Sequence, residues 1–337
     1  MATIKDVAAL SGVSVSTVSI ILNGKAKDRK ISVETQDKIM EAIKALNYRP
    51  SVSAKKLRSP NAKEYTIALY WASDFRTNYL ARLISGFQSE ISNYQYPINI
   101  VICPYRSGSL FLEKGLQSDH TFNAAIIANT SISDMEYLNN NLPKIPTVLY
   151  NRYSEQYNTV TIDNFEVGRK AAMLLINKGI KDNIGLVHFK APYLAMTLRS
   201  QGFIDTCIKH SIQFSDENVI NTEGSIQGGV LAAEIFLKRK HLPKAIFCDS
   251  DSLAQGLLHV FNKKNIKIPE DSQIIAVGLG SPEASQYSTP PLTVVEIPLE
   301  KMAAECLRLI INVLEHRTDT SFHVNYESKL IIRDSCS

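Results

Sequence analysis

The chain has 337 residues, 45% hydrophobic and 21% charged, which excludes a disordered or fibrous protein. At roughly 100–200 residues per domain it predicts two or three domains. No apolar run approaches the ~18 residues a membrane helix needs, and the N-terminus lacks the apolar stretch of a signal peptide. The net charge of +4 divides unevenly: the first 60 residues carry 11 Lys and Arg against 5 Asp and Glu, the rest 26 against 28. A small basic head on a slightly acidic body predicts that the head meets a polyanion. The five cysteines are odd in number and scattered, with no CxxC pair, which argues against a disulfide framework and against a structural zinc site. A soluble, cytoplasmic protein is expected.

In chain order, Thr3-Ile4-Lys5-Asp6 fits a capped helix start. Apolar residues recur at Ile4, Val7, Ala8 and Leu10, and Gly12 is placed to stop the helix. Ser14 can cap a second helix with apolar positions Val15, Val18, Ile21 and Leu22, ended by Asn23-Gly24. A third helix is predicted after Ser32, with Ile39, Ala42, Ile43 and Leu46 on one face. Helix, tight glycine turn, helix is the arrangement whose second helix enters the DNA major groove.

These residues carry a resemblance. The strings Ala2-Thr3-Ile4-Lys5-Asp6-Val7-Ala8, Gly12-Val13-Ser14-Val15-Ser16-Thr17-Val18-Ser19, Leu22-Asn23-Gly24 and Leu46-Asn47-Tyr48-Arg49-Pro50 resemble the head of the LacI/GalR family of bacterial transcription regulators. The resemblance implies a DNA-binding domain over 1–50 and a hinge helix and linker over 51–60. Within Ala54-Lys55-Lys56-Leu57-Arg58 it implies that Leu57 wedges into the minor groove while Ala54 and Lys56 flank it. It further implies that Val15, Ser16 and Ile20 read bases, and that Thr3, Ser14, Thr17, Ser19, Asn23, Ser32 and Thr35 contact phosphates. An isoleucine at position 20 cannot hydrogen-bond a base edge, so weak discrimination for guanine is expected there.

Beyond residue 61 the pattern alternates strand and helix. Strands are predicted at 66–70, 98–102, 124–127, 147–150, 184–187, 245–247 and 274–277, and helices at 80–92, 166–177, 195–209, 227–238, 252–262 and 299–315. Such alternation builds parallel sheets covered by helices, with ligands at the carboxyl ends of the strands. The region resembles the two-lobed periplasmic-binding-protein body of the same family, which implies an effector cleft and a fold of α-helical head plus α/β body. The stretches 159–164 and 290–295 are expected as interlobe crossovers, dividing 61–337 into one lobe of 61–161 with 293–337 and another of 162–292.

For the effector, Leu198-Arg199-Ser200-Gln201-Gly202-Phe203 matches the family's Arg-x-x-Gly-aromatic pattern, so the resemblance implies Arg199 as a ligand contact. Asp251 and Ser250 fall where relatives carry Asp and Asn, though Asp251 is equally placed to cap the helix that follows. Asn151 replaces a customary Asp, and Val277-Gly278-Leu279-Gly280 lacks an acidic residue found in relatives. Two hydroxyl-accepting carboxylates are thus missing, and an anionic effector such as a sugar phosphate suits Arg199 better than a free hexose does. Arg76 and Arg152 are further candidate cations. Trp71, Tyr79 and Asn129 are candidate cleft walls or core residues alike.

No phosphate-binding, nucleophile-elbow or zinc-protease motif occurs, and the seven histidines show no metal-like spacing. The expectation is a regulator without enzymatic activity, cofactor or metal. It would be a homodimer acting in the bacterial cytoplasm at the nucleoid, binding near-palindromic operator DNA, with no membrane partner, and answering to a sugar or sugar phosphate. Repression of carbohydrate-utilisation genes is the expected role. The alternatives are a sugar-binding protein without DNA function and an α/β enzyme.

Overall fold

The computed structural model describes residues 3–22, 26, 28–46, 48, 63–73, 77–118, 120–189, 194–212, 215–316 and 321–337. The head contains α1 (Ile4–Ser11), α2 (Val15–Leu22) and α3 (Val33–Ala45). Thr3 and Asp6 form a reciprocal capping box on α1, and Gly12 ends that helix at φ +69°, a left-handed turn that costs glycine nothing. Val7, Ala8, Val18, Ile39 and Ala42 close a small core, with Val13, Ile21 and Ile43 packed around it. Two residues expected in that core are outside it: Leu10 is 57% exposed and Val15 37%. Val13, in the turn, packs against the core instead.

The body holds two six-stranded sheets. The first comprises β1 (Tyr65–Ala72), β2 (Ile98–Tyr105), β3 (Ala124–Ala128), β4 (Thr147–Tyr150), β5 (Asn158–Ile162) and β11 (His323–Tyr326), in the order β11-β5-β4-β3-β1-β2 and parallel throughout. The second comprises β6 (Ile184–His188), β7 (Val219–Asn221), β8 (Ala245–Cys248), β9 (Gln273–Gly278), β10 (Thr293–Glu296) and β12 (Lys329–Ile331), in the order β12-β10-β9-β8-β6-β7. Only β12 runs antiparallel. The central strands are apolar on both faces because helices cover both. On the first sheet these are α4 (Thr77–Ile91) and α11 (Leu299–His316) on one side and α5 (Ile132–Asn140) on the other. On the second, α6 (Asn164–Asn177) and α7 (Leu194–Lys209) oppose α8 (Ile226–Leu237) and α9 (Asp251–Lys263), and the short α10 (Pro282–Gln286) follows β9. One buried cluster continues from Ile67, Ile126 and Val148 of the first sheet into Leu186, Phe247 and Ile275 of the second.

The expected lobe division needs correction at its second boundary. Residues 293–296 form β10, which pairs with β9 of the second sheet, so they are not the return into the first lobe. The chain returns with α11, gives β11 to the first sheet, then crosses again to β12. The last residues also stay with the second lobe, where the Ser335 hydroxyl donates to Ile274 O at 2.7 Å. Residues 158–162 likewise form a full strand, β5, before the chain enters α6.

Candidate effector cleft and nucleic-acid interface

In each sheet the strand order reverses once: between β1 and β3 in the first, and between β6 and β8 in the second. Crevices at such reversals, at the carboxyl ends of the strands, are where open parallel sheets hold ligands. Trp71 near the end of β1 and Asn129 just after β3 occupy the first switch point. His188 and Phe189 at the end of β6 and Asp249 just after β8 occupy the second.

On the first lobe, Trp71, Tyr79 and Tyr150 form a buried aromatic wall, with ring centroids 5.4 Å apart for Trp71–Tyr79 and 6.1 Å for Tyr79–Tyr150. Asn129 and Asn151 both turn left-handed at their strand ends, at φ +59° and +54°, a conformation asparagine tolerates better than most residues. Asn129 is 5% exposed, yet among the described residues its amide nitrogen has no hydrogen-bond partner, and neither does the buried hydroxyl of neighbouring Thr130. Arg152 donates from Nε to Thr130 O at 2.9 Å and from a terminal nitrogen to Asn151 O at 2.6 Å.

Asn151 is the start of a chain of side chains that crosses between lobes. Its Oδ1 accepts from Asn164 Nδ2 at 3.1 Å, and Asn164 Oδ1 accepts from Arg199 Nε at 3.0 Å. Arg199 is 4% exposed and held where α6 and α7 cross closely, since a Cβ on Gly168 would lie 1.9 Å from Arg199 O. Next to Arg199, the Ser200 hydroxyl donates to Asp249 Oδ1 at 3.3 Å, and Phe189 N–H donates to Asp249 Oδ2 at 3.3 Å. Complete burial pushes the Asp249 carboxyl up to about 7, against the pull of the Arg199 charge and these two hydrogen bonds.

Ser250 and Asp251 serve the second lobe's own architecture. Ser250 is the cap of α9, accepting from Leu253 N, so the capping role considered for Asp251 belongs to its neighbour. Asp251, raised to about 6 by burial, accepts from Gly280 N at 2.7 Å and Ser252 N at 3.0 Å. The same Gly280 accepts through its carbonyl from Arg82 of α4 at 3.2 Å. Arg82 also grips both oxygens of Glu300, at 2.5 and 2.6 Å, and reaches Ile297 O. This is a second tie between lobes.

Sequence reasoning missed Asp249, Asn164, Thr130 and Arg82. Asp249 left a signal, a carboxylate directly after an apolar strand and before a Ser-Asp helix start. Arg82 left none, because its partners lie about 200 positions away in the chain. A surface depression of about 930 Å³, lined by Asn183, Asn218, Arg239 and His241 among others, lies at the opposite, amino ends of the second sheet's strands, remote from both switch points. Among the described residues no cluster of His, Cys, Asp and Glu could hold a metal ion.

In the head, Ser14 caps α2 by accepting from Thr17 N at 3.1 Å, and Ser32 caps α3 by accepting from Thr35 N at 3.3 Å. Both hydroxyls stay exposed, as do Val15 and Ser16 at the start of α2, while Thr17, Ser19 and Ile20 are half-buried. The Thr3 hydroxyl is engaged with Asp6 at 2.8 Å. Asn23, Ala54, Lys56, Leu57 and Arg76 lie outside the described residues.

A capped helix-turn-helix head on a body of two parallel sheets, each with a switch point, is the architecture of a ligand-responsive, DNA-binding transcription regulator. Residues 3–51 match the model for the lacI family of bacterial regulatory proteins, and residues 163–336 match that for the periplasmic binding protein-like domain. A LacI family transcription regulator from Clostridium acetobutylicum shares 42% identity and a TM-score of 0.77 over 80% of this chain and 99% of its own. The structure of the transcriptional regulator CelR in complex with cellobiose shares 25% identity and a TM-score of 0.71 over 99% of this chain and 100% of its own. The HTH-type transcriptional repressor PurR of Mannheimia succiniciproducens is 25% identical over 99% of this chain and 98% of its own. The chain belongs to the LacI family of bacterial transcription regulators. No single described helix is long and apolar enough to cross a membrane.

Proposed function

We propose that the protein is a cytoplasmic repressor of carbohydrate-utilisation genes, released from or tightened on its operator by a carbohydrate bound between the two switch points. The observation that carries this reading is the pair of buried polar groups without a partner among the described residues, Asn129 Nδ2 and Thr130 Oγ1, at the first switch point. A buried amide without a partner costs about 1–3 kcal/mol, and a ligand hydroxyl placed there would recover it. Arg199, Asn151, Trp71 and Tyr79 complete the contact set, with Ser250 and Asp251 holding the rim. The cellobiose in the CelR structure supports a sugar as the ligand class.

The DNA contacts follow the family resemblance of the head, supported by the exposure of Ser14, Val15, Ser16 and Ser32. Val15, Ser16 and Ile20 on α2 read base edges. Ser14, Thr17, Ser19, Asn23, Ser32, Thr35 and Thr3 set the register on phosphates, and Leu57 with Ala54 and Lys56 engages the operator centre. Two heads on a near-palindromic operator require a homodimer. Exposed apolar side chains on both lobes support one: Ile226, Leu231 and Ile235 along α8, and Val101 and Ile102 on the edge strand β2. Closure of the lobes on a ligand then alters the spacing of the two heads, which is coupling through differential affinity for two states.

The test is fluorescence anisotropy of labelled DNA from upstream of the protein's own gene, at fixed salt, with and without a panel of free sugars. One sugar is expected to shift operator affinity, and Asn129→Ala to abolish that shift while leaving ligand-free DNA binding intact. DNA affinity that ignores salt concentration, or that survives deletion of the first 58 residues, would refute the DNA-binding assignment.

A further inference from the structure

We propose that the effector is an uncharged, hydroxyl-rich molecule and that Asp249 is the residue that bars an anionic one; the proposal rests on the cleft being the effector site. Asp249 stands at the reversal of the second sheet, where ligands are presented, and its side chain is fully buried. Phe189 N and Ser200 Oγ each donate to one of its oxygens at 3.3 Å. Arg199 precedes Ser200, the residue hydrogen-bonded to Asp249, on α7, and its charge favours the ionised Asp249 carboxyl. A cation and an anion buried in one low-dielectric pocket cancel in the field an incoming ligand meets. A dianion brought against Arg199 is also brought against Asp249.

Two other arginines near the switch points have their donors engaged, while Arg76 lies outside the described residues. Arg82 is clasped by Glu300, and Arg152 directs its donors to Thr130 O and Asn151 O. The groups the cleft holds ready are neutral: the Asn129 amide and the Thr130 hydroxyl beside an aromatic wall. Amides and hydroxyls answer sugar hydroxyls, and aromatic faces answer the apolar side of a sugar ring. The sequence pattern favoured a phosphorylated sugar because two hydroxyl-accepting carboxylates were missing from their expected places while Arg199 was retained. The carboxylate that balances it is 50 positions away in the chain.

Sulfate, a dianion with no titration near neutrality, is the probe, and the fluorescence of Trp71, the single tryptophan, reports on the cleft wall. In DNA-free full-length protein at pH 8 and constant ionic strength, wild type is expected to show no saturable sulfate response. Asp249→Asn is expected to bind sulfate at least about tenfold more tightly, a gain of the size of one screened buried charge. Adding Arg199→Ala should remove the gain. Saturable binding by wild type that Arg199→Ala abolishes, or an Asp249→Asn protein no tighter than wild type, overturns the proposal.

Should Asp249→Asn fail to fold, wild type at pH 6 makes the same comparison, because Asp249 then takes up a proton. Arg199 keeps its charge there, and the other titratable side chains nearby are His188, which meets Ser200, and Asp251, raised to about 6 by burial. A sulfate affinity that rises from pH 8 to pH 6 and loses the rise in Arg199→Ala supports the proposal. No rise, or one that persists without Arg199, overturns it. Glucose, ribose and cellobiose titrated alongside on Asn129→Ala test the cleft itself: a sugar that moves operator affinity yet ignores Asn129→Ala removes the site, independently of the sulfate result.

Discussion

Replacing Arg82 with methionine keeps the apolar stem and removes the guanidinium that ties α4 to α11 and to the loop after β9. Four donor contacts are lost: two to Glu300, one to Gly280 O and one to Ile297 O. Removing one partner of a buried ion pair costs about 3–5 kcal/mol. The Arg82 side chain is 8% exposed but that of Glu300 is 36%, so the orphaned carboxylate regains part of its hydration. A discount for that exposure gives roughly 2–3 kcal/mol. For a body of this size such a loss lowers Tm by about 4–12 °C. Burial raises the Glu300 carboxyl, but the Arg82 hydrogen bonds and charge outweigh it and hold the group below its ordinary range. A carboxylate depressed in the folded state contributes its stability above the unfolded value and loses it as the pH falls through the folded one. The penalty of Arg82→Met should therefore be full at pH 7 and shrink below about pH 4. Scanning calorimetry of full-length wild type and variant from pH 3.5 to 7.5 measures both. A Tm drop under about 1 °C at pH 7, or a penalty that does not shrink in acid, would refute the assignment of Arg82 as an interlobe tie.

Two further outcomes follow from the same geometry. Gly168→Ala would put a Cβ 1.9 Å from Arg199 O and 2.7 Å from Phe203 N, both backbone atoms, so α6 and α7 must separate. A cost of about 1–3 kcal/mol in urea unfolding is expected, together with loss of the sugar response, because Arg199 moves with α7; unchanged stability would mean the crossing is looser than described. Asp249 and Asp251 are raised to about 7 and about 6, so between their ordinary range and those values the folded chain holds protons that the unfolded chain releases. Stability should then fall as pH rises from about 4 to about 7 and level off above, with Asp249→Asn showing a shallower fall; denaturant titrations in which the two proteins keep a constant difference across that window would contradict it.

The head was legible because its determinants are local. A capping box spans four residues, a left-handed glycine ends a helix by itself, and the Thr3, Gly12, Ser14 and Ser32 signals all stand in the structure where the sequence places them. Even so, exposure of Val15 and Leu10 depended on where α3 lies, which apolar spacing in α1 and α2 could not state. In the body the buried strands β1, β3, β4, β8 and β9 announced themselves as apolar runs. The strands β7, β11 and β12 did not, being short edge strands of three or four residues whose membership is settled by a neighbour's hydrogen bonds. β10, an interior strand, read as a crossover because a run of four residues does not say which sheet it joins.

The proposed effector cleft divides along the same line. Its individual residues, Arg199, Asn151, Asn129 and Trp71, stand out in sequence because a polar or aromatic group next to an apolar strand or inside a helix motif is a local anomaly. The partners around them are remote in the chain: Asp249 on Ser200 next to Arg199, Asn164 between Arg199 and Asn151, and Glu300 against Arg82. Sequence by itself determined the family, the caps and the alternating elements, all of which arise from interactions within a few residues. The charge balance of the cleft and the ties between lobes came only from tertiary structure, because electrostatic compensation acts through space and is indifferent to separation along the chain.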